Sequence, residues 1–217
     1  MTALLFTITT LACLLLFYLG TGRNKEVLAA FVIWQLIVGT LAALNFFERN
    51  PIFFSLAILG TILLTLLSLR RIDRQKLSTK ILLSIHVLRI PVELTLYQLY
   101  LQKKIPLLMT FRGWNFDIFI GLSALAILIY MTRKKSKRKF FMLWNITGIA
   151  FLAFIVVLAI LSSPLPIQQL AFAQPNIAIL EYPYCFLPIC VVPIVLLSHI
   201  LLISEQSRCA GMGIAGN

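Results

Sequence analysis

Five ionisable or phenolic side chains recur along a stretch of the chain that is mostly apolar, residues 84 to 101, SIHVLRIPVELTLYQLYL. They are His86, Arg89, Glu93, Tyr97 and Tyr100. On a helix that turns about 100° per residue, their spacing places all five within roughly 80° of arc. The spacing therefore predicts one polar stripe along one face of a helix.

The residue types in this stripe suit the binding of a small molecule inside a membrane. An arginine at the middle of a bilayer costs roughly 2.5 to 3.5 kcal/mol on insertion scales, so the stripe is expected to face other helices rather than lipid. Arg89 would hold an anion, Glu93 would orient it or carry a proton, and the two tyrosines would line its outer path. We therefore predict an intramembrane ligand site lined by the five residues.

A purely structural explanation of the same stripe stays open. Arg89 and Glu93 are four residues apart, a spacing at which they can form an ion pair on one helix and neutralise each other. Pro91 lies between them and cannot donate a hydrogen bond to the carbonyl of Val87, so it is expected to kink the helix. A carbonyl freed in this way beside charged residues is typical of substrate sites in transporters, but a bend can equally serve only to shape a bundle.

A second group of polar residues is predicted at the outer end of the bundle, and its members are Arg112, Asn115, Asp117 and Glu181. They predict an outer vestibule above the two tyrosines, with the proline-containing segment of residues 163 to 183 as a lid. Helix capping by Asn115 and the interaction of Asp117 with the helix dipole explain those two residues equally well.

The histidines and cysteines do not predict a metal or cofactor site. His86 and His199 lie at matched depths in different apolar runs, from which two histidines can ligate haem or a metal, but no CxxCH or HExxH motif accompanies them. Cys185 and Cys190 lack a CxxC spacing and are expected to be small apolar fillers. The absence of a Walker loop and of a GxSxG elbow excludes the readily recognised nucleotide enzymes and serine hydrolases.

The elements that must position these residues are membrane-spanning helices. Of the 217 residues, 60% are hydrophobic and 12% are charged, and the mean hydropathy is +0.97, whereas a soluble domain is about one quarter charged. The prediction is an all-α polytopic membrane protein with one domain over residues 1 to 205 and a flexible tail over residues 206 to 217. A membrane-spanning helix requires roughly 17 to 25 apolar residues, and seven runs qualify: residues 2 to 20, 27 to 47, 51 to 69, 79 to 102, 116 to 132, 140 to 162 and 184 to 204.

The basic residues predict the orientation of these seven spans. If the N-terminus is outside, 14 of the 19 lysines and arginines fall in inside segments and four in outside segments, with Arg89 in a span. The positive-inside rule therefore places the N-terminus outside and the C-terminus in the cytoplasm. The net charge of +12 is explained by these short loops, so nucleic acid is not expected as a partner, whereas the lipid bilayer is.

Three stretches carry a resemblance to a known group of proteins. The runs RIPVELTLYQLYL, LMTFRGWNFDI and PLPIQQLAFAQPNIAILEYPYCFLP resemble an uncharacterised family of small multi-pass bacterial membrane proteins. The resemblance implies a bacterial inner membrane and implies no activity and no functional residue.

Three functions remain open from the sequence. The first is a membrane protein with a polar cavity that binds, and can transport, a small anionic or amphiphilic molecule. The second is a membrane-embedded enzyme that acts on a lipid or isoprenoid, with Glu93 or His86 as general acid or base. The third is a structural or assembly subunit whose ion pair fixes the packing of helices. The sequence leaves the ligand and the oligomeric state open.

Overall fold

The fold, taken from a computed structural model, is described for residues 1–131 and 138–214, with side chains for residues 1–131 and 139–205. Throughout these residues the regular structure is helical, which confirms the predicted all-α class for this part of the chain. The α-helices are α1 (Thr2–Gly20), α2 (Lys25–Ala43), α3 (Phe46–Arg49), α4 (Ile52–Arg71), α5 (Thr79–Val87), α6 (Arg89–Leu101), α7 (Asp117–Met131), α8 (Arg138–Leu161) and α9 (Val192–Ile214).

Five helices of the described residues are long and apolar enough to cross a membrane, and α7 is a shorter apolar helix. In four of the five, between 28% and 39% of the residues are buried inside the protein, so most of their residues are at least partly exposed. The last one, Leu187–Glu205, is 61% buried and lies centrally, against α8 and α5. The long ones are Thr2–Gly20, Lys25–Ala43, Ile52–Arg71, Lys139–Leu161 and Leu187–Glu205.

The predicted span over residues 79 to 102 consists of two helices. α5 has nine residues and α6 has 13, and the α-helical pattern is interrupted at Leu88. The break lies three residues before Pro91, whose missing N–H removes the hydrogen bond to the carbonyl of Val87. The predicted disturbance of the helix by Pro91 is thus present as an interruption between α5 and α6.

The last long helix also begins irregularly, at two prolines. A π-helical turn, Leu187–Val191, contains Pro188 and leads into α9, where Pro193 is the second residue. Irregular backbone at membrane depth is tolerated where it is buried against protein, and Ile189, Cys190 and Val191 of this turn are all buried.

The segment of residues 163 to 183 contains no α-helix and folds across the loop that follows α6. Its backbone amides at Ile177 and Ala178 donate to the carbonyl of Lys104, with N···O distances of 3.0 and 3.2 Å. The side-chain amide of Gln174 donates to the carbonyl of Tyr100 at 3.2 Å. These bonds fix the segment over the end of α6, where the sequence predicts a lid.

Two further sequence predictions fall partly outside the described residues. Helix α9 continues to Ile214, through most of the segment predicted as a flexible tail, while residues 215 to 217 and all side chains from residue 206 onward are not described. The basic loop residues Arg133, Lys134, Lys135 and Lys137, which the predicted orientation uses, also lie outside the described residues.

Cys13, Cys185 and Cys190 are buried free thiols, in agreement with a role as apolar fillers.

Candidate functional site

Polar side chains from five helices and one loop meet in the interior beside the break between α5 and α6. Asp117 is the most exposed of them, at 7% of its surface, and four of the others are fully buried. We call this group the buried polar network. Its members are His86, Arg89, Glu93, Asn115, Asp117, Asn145, Ser198 and His199.

An ion pair between α6 and α7 forms the centre of the buried polar network. The Arg89 Nη1 atom lies 3.3 Å from the Asp117 Oδ1 atom, and both side chains are less than one tenth exposed. The spacing of Arg89 and Glu93 allows an ion pair within one helix, but Arg89 forms its ion pair with Asp117 instead. An arginine that precedes glutamate by one turn is the weaker order for a helical ion pair, and the close packing of α6 against α7 offers the carboxylate of Asp117 instead.

Gly121 permits that close packing. A Cβ atom at this position of α7 would lie 3.3 Å from the backbone nitrogen of Ile90 and 3.4 Å from the Cβ atom of Arg89. The backbones of α6 and α7 therefore approach more closely than a larger residue would allow. This approach brings the start of α7 within reach of the Arg89 guanidinium.

Asn115 connects the second buried carboxyl group to the outer loop. Its Nδ2 atom donates to Glu93 Oε1 and to the carbonyl of Met109 at 3.1 Å. Its Oδ1 atom accepts from the backbone N–H of Asp117, the first residue of α7, at 3.1 Å, so Asn115 bonds to the helix start from one position before the N-cap that the sequence predicts. The same side chain also carries the contact to Glu93, which capping alone does not require.

The hydrogen bonds of His199 define which of its ring nitrogens carries a proton. Asn145 Nδ2 donates to the carbonyl of Phe141 at 2.8 Å, so the oxygen of that amide is the atom that faces His199. The His199 Nδ1 atom lies 2.8 Å from this oxygen and must therefore be the donor. His199 Nε2 is then an acceptor, and it faces Arg89 Nη2 at 3.5 Å.

His86 packs directly on His199, with 3.9 Å between the ring centroids. Ser198 Oγ donates to the carbonyl of Val195 at 2.8 Å, so it accepts from His86 Nε2, which lies 3.1 Å away. The two histidines therefore have opposite tautomers. A guanidinium in front of His199 Nε2 opposes binding of a cation at that atom, and the described residues contain no group of three or more His, Cys, Asp or Glu side chains arranged to hold a metal ion.

An open groove of about 630 Å³ lies at the C-terminal end of α6, the end that the sequence predicts to be outside. Its walls are the loop that follows α6 and the segment of residues 163 to 183, and we call it the outer groove. The Arg112 Nη1 atom donates to the hydroxyl of Tyr97 at 2.7 Å, and its guanidinium carbon lies 5.4 Å from the centre of that ring. The lining residues are Tyr100, Pro106, Leu107, Leu108, Arg112, Gly113, Trp114, Ala171, Ala173 and Gln174.

The structure thus divides the predicted site residues between two places. His86, Arg89 and Glu93 of the stripe lie in the buried polar network, while Tyr100 lines the outer groove and Tyr97 holds Arg112 at its edge. Of the predicted vestibule, Arg112 lines the groove, but Asn115 and Asp117 join the network, and Glu181 forms an ion pair with Lys104. The outer groove is not lined by His86, Arg89 or Glu93.

Three members of the network, Asn145, Ser198 and His199, were not predicted as site residues. Asn145 and Ser198 lie in α8 and α9, where a polar side chain among apolar neighbours is the available sequence signal. That signal does not show which helix faces which, so the contacts of both residues with the histidines could be found only in the fold.

Together, the apolar helices and the buried ion pair define the class of protein: an all-helical, membrane-associated protein with an internal polar network. The chain belongs to the family described as "Domain of unknown function (DUF8737)", whose model matches residues 46–205. The match includes every member of the buried polar network and all residues that line the outer groove. A search of the curated proteins and a search of the solved structures each found no match.

Proposed function

We propose that this chain is a seven-span protein of a bacterial inner membrane, with its N-terminus outside, that binds a small anionic amphiphile in the outer groove and transports it. The buried polar network is the part of the protein that couples this binding to a change in the bundle. The resemblance to small bacterial membrane proteins supports the location. The distribution of basic residues supports the orientation.

The observation that carries the proposal is the position of Arg112. Its guanidinium lines the groove, and the other described residues that line the groove are uncharged. No carboxylate of the described residues lies within ion-pairing distance of Arg112. Arg89, which the sequence favours as the anion-binding residue, is already paired with Asp117. We therefore assign the anionic head group of the ligand to Arg112, held in place by Tyr97.

The remainder of the outer groove suits an apolar chain. Pro106, Leu107 and Leu108 form one wall, and Trp114 is 58% exposed. On the segment that forms the other wall, Phe172 is 71% exposed. Small-molecule sites have volumes of about 300 to 1,000 Å³, a mostly apolar lining and few polar groups. The outer groove has all three properties.

Two residues, Tyr97 and Asn115, connect the outer groove with the buried polar network. Tyr97, which binds Arg112, is one helical turn beyond Glu93 on α6. Asn115, which binds Glu93, directly follows Trp114 of the groove. A ligand that moves the loop at Trp114 would therefore disturb the contacts of Glu93, and this connection supports transport over simple binding.

The test uses dansyl-labelled undecanoate, a fluorescent anionic amphiphile, and the full chain in lipid nanodiscs. We expect energy transfer from Trp114 to the bound dansyl group, and Trp114→Phe should weaken it while Trp34 and Trp144 remain as donors. Arg112→Gln should weaken binding about tenfold or more, since it removes the cation that meets the head group. Lys103→Gln, a change of an exposed lysine of the same loop that does not line the groove, should bind as the wild type does.

Equal binding by the wild type and Arg112→Gln would overturn the assignment of the head group. Uptake of the same probe into proteoliposomes tests transport separately, with protein-free liposomes as the control. Binding without any protein-dependent uptake would reduce the proposal to a binding protein.

A structural role is the second candidate, favoured by the pairing of Arg89 with Asp117 and by the engagement of both ring nitrogens of His199. A network that only fixes packing would give unchanged binding in its variants and a fixed partner protein after purification. Changed probe binding in a folded network variant would exclude this candidate.

A further inference from the structure

Glu93 is a buried carboxyl group that lacks a cation of its own. Its side chain is 1% exposed, its Oε1 atom accepts from Asn115, and its Oε2 atom has no hydrogen-bond partner among the described residues. A buried ionised carboxylate requires a compensating positive charge or several donors. The geometry around Glu93 supplies one amide donor and leaves the second oxygen free.

The charges around Glu93 do not provide that compensation. Arg89 lies on the same helix, but its guanidinium is within ion-pairing distance of Asp117 and not of Glu93. Asn115 is neutral, and His199 meets Arg89 through an unprotonated ring nitrogen. The network therefore contains one permanent cation and two carboxyl groups, so it is electrically neutral only if one carboxyl group holds a proton.

We infer that Glu93 is a proton-binding site of the membrane interior, that it holds its proton in this conformation, and that Asn115 transmits the loss of the proton to the outer groove. The first two statements stand without the proposed function, whereas the last rests on it. The Asn115 amide donates to the Glu93 oxygen that carries no proton, which leaves Oε2 as the protonated atom.

Loss of this proton would change the contacts that hold the outer loop. An ionised Glu93 would bind the Asn115 amide more strongly, because hydrogen bonds to a charged acceptor are stronger. It would also compete with Asp117 for Arg89. Asn115 is bonded to the carbonyl of Met109 and to the backbone of Asp117, so both ends of the loop that carries Trp114 would respond. The negative charge so formed would also disfavour an anion in the outer groove.

Infrared spectroscopy in lipid can test the proton directly. A protonated carboxyl group has a C=O stretching band that is separate from the bands of a carboxylate and shifts in heavy water. We expect this band at neutral pH in the wild type and in Glu181→Gln, a matched change of the carboxyl group that pairs with Lys104. Glu93→Gln should abolish the band.

A second variant and an isotope label make the test independent of the folding of Glu93→Gln. In Asp117→Asn the network has one cation and one carboxyl group, so Glu93 should ionise beside Arg89 and the band should disappear. In the wild type, labelling of glutamate at the side-chain carboxyl carbon should shift the band, because the band belongs to the carboxyl group of Glu93. A wild type without the band, or a band that the glutamate label does not shift, would overturn the inference.

The coupling to the outer groove has its own measurement. Binding of dansyl-labelled undecanoate should weaken about tenfold in the wild type as pH rises and Glu93 loses its proton, and it should stay constant with pH in Glu93→Gln. The same pH dependence in both proteins would overturn the coupling. If neither the wild type nor Glu93→Gln binds the probe while the wild type shows the infrared band, the proposed function is contradicted. The proton site at Glu93 is then still supported.

Discussion

The Nη1 atom of Arg89 and the Oδ1 atom of Asp117 lie 3.3 Å apart in the interior of the protein, although the two residues are 28 positions apart in the chain. This pair joins α6 to α7 immediately after the break at Leu88. It also removes Arg89 from the set of cations that can meet an anionic ligand. We therefore propose that the function is divided between a buried network with a surplus carboxyl group and an outer groove whose arginine has no ionic partner among the described residues.

Removal of the arginine should destabilise the protein more than removal of the aspartate. Arg89→Gln leaves Asp117 buried without a cation, and breaking a buried pair in this way costs about 3 to 5 kcal/mol. Asp117→Asn should cost less, because Glu93 lies near enough on α6 to replace Asp117 as the partner of Arg89. Thermal unfolding followed by circular dichroism in detergent measures both.

The exposed ion pair of Arg71 with Glu26 supplies the control for these variants. Both of its side chains are more than 70% exposed, so Arg71→Gln should leave the unfolding temperature unchanged. Equal destabilisation by Arg89→Gln and Asp117→Asn would show that Glu93 cannot take over the ion pair.

The two histidines should appear as opposite neutral tautomers in nuclear magnetic resonance spectra. The hydrogen bonds of Asn145 and Ser198 require a proton on Nδ1 of His199 and on Nε2 of His86. The chain contains only two histidines, so labelling of their ring nitrogens gives two resolved patterns. Asn145→Leu should alter the pattern of His199 first, and identical tautomers in the wild type would contradict the network.

Gly148 of α8 should be sensitive to a single added methyl group. A Cβ atom there would clash with Cε1 and Nε2 of His199, so Gly148→Ala must displace the imidazole from Arg89. Overpacking of this kind costs about 1 to 3 kcal/mol. Thermal unfolding measures the loss of stability, and the histidine spectrum should show the displacement.

Ala150 offers the matched control for the added volume, because its side chain on the same helix is exposed. Ala150→Val should leave both the stability and the histidine spectrum as they are. If Gly148→Ala changes neither the unfolding temperature nor the His199 signal, α8 and α9 do not approach each other closely at Gly148.

The broken helix α5–α6 should cross the membrane, and cysteine labelling can test this. Gln75 and Gln102 are exposed and lie before α5 and after α6. In a Cys209→Ser background, an impermeant maleimide should label Gln102→Cys in intact cells and Gln75→Cys only after permeabilisation. Labelling of both on one side would contradict the crossing, and the reverse pattern would contradict the orientation.

Some features of the candidate site followed from local chemistry and could be read in the sequence. Helical periodicity places His86, Arg89 and Glu93 on one face, and the cost of a charge in hydrocarbon requires that face to be buried; the three side chains are at most 3% exposed. The break before Pro91 follows from its missing N–H. The proximity of Arg112 to Tyr97 and Tyr100 was likewise predictable, because the loop that carries Arg112 directly follows α6.

The partners of these residues depended on contacts between helices that periodicity does not contain. Asp117 was predicted at the outer surface, where the helix dipole alone would explain it, but it is 7% exposed because Gly121 allows α7 to approach α6. Glu181 was predicted in the vestibule with Arg112, yet Lys104 binds it instead, since the segment of residues 163 to 183 folds onto the loop after α6.

The sequence by itself determined that the chain forms apolar helices, that a polar stripe must turn inward and that one helix breaks near Pro91. These outcomes depend on hydrophobicity, on the helical repeat and on the geometry of proline, which act within one segment. Only the tertiary structure decided that Arg89 pairs with Asp117, that His86 stacks on His199 and that Glu93 has no ion-pair partner among the described residues. Those pairings depend on which helices meet, and at what distance, because the energy of a buried charge is set by atoms from other segments of the chain.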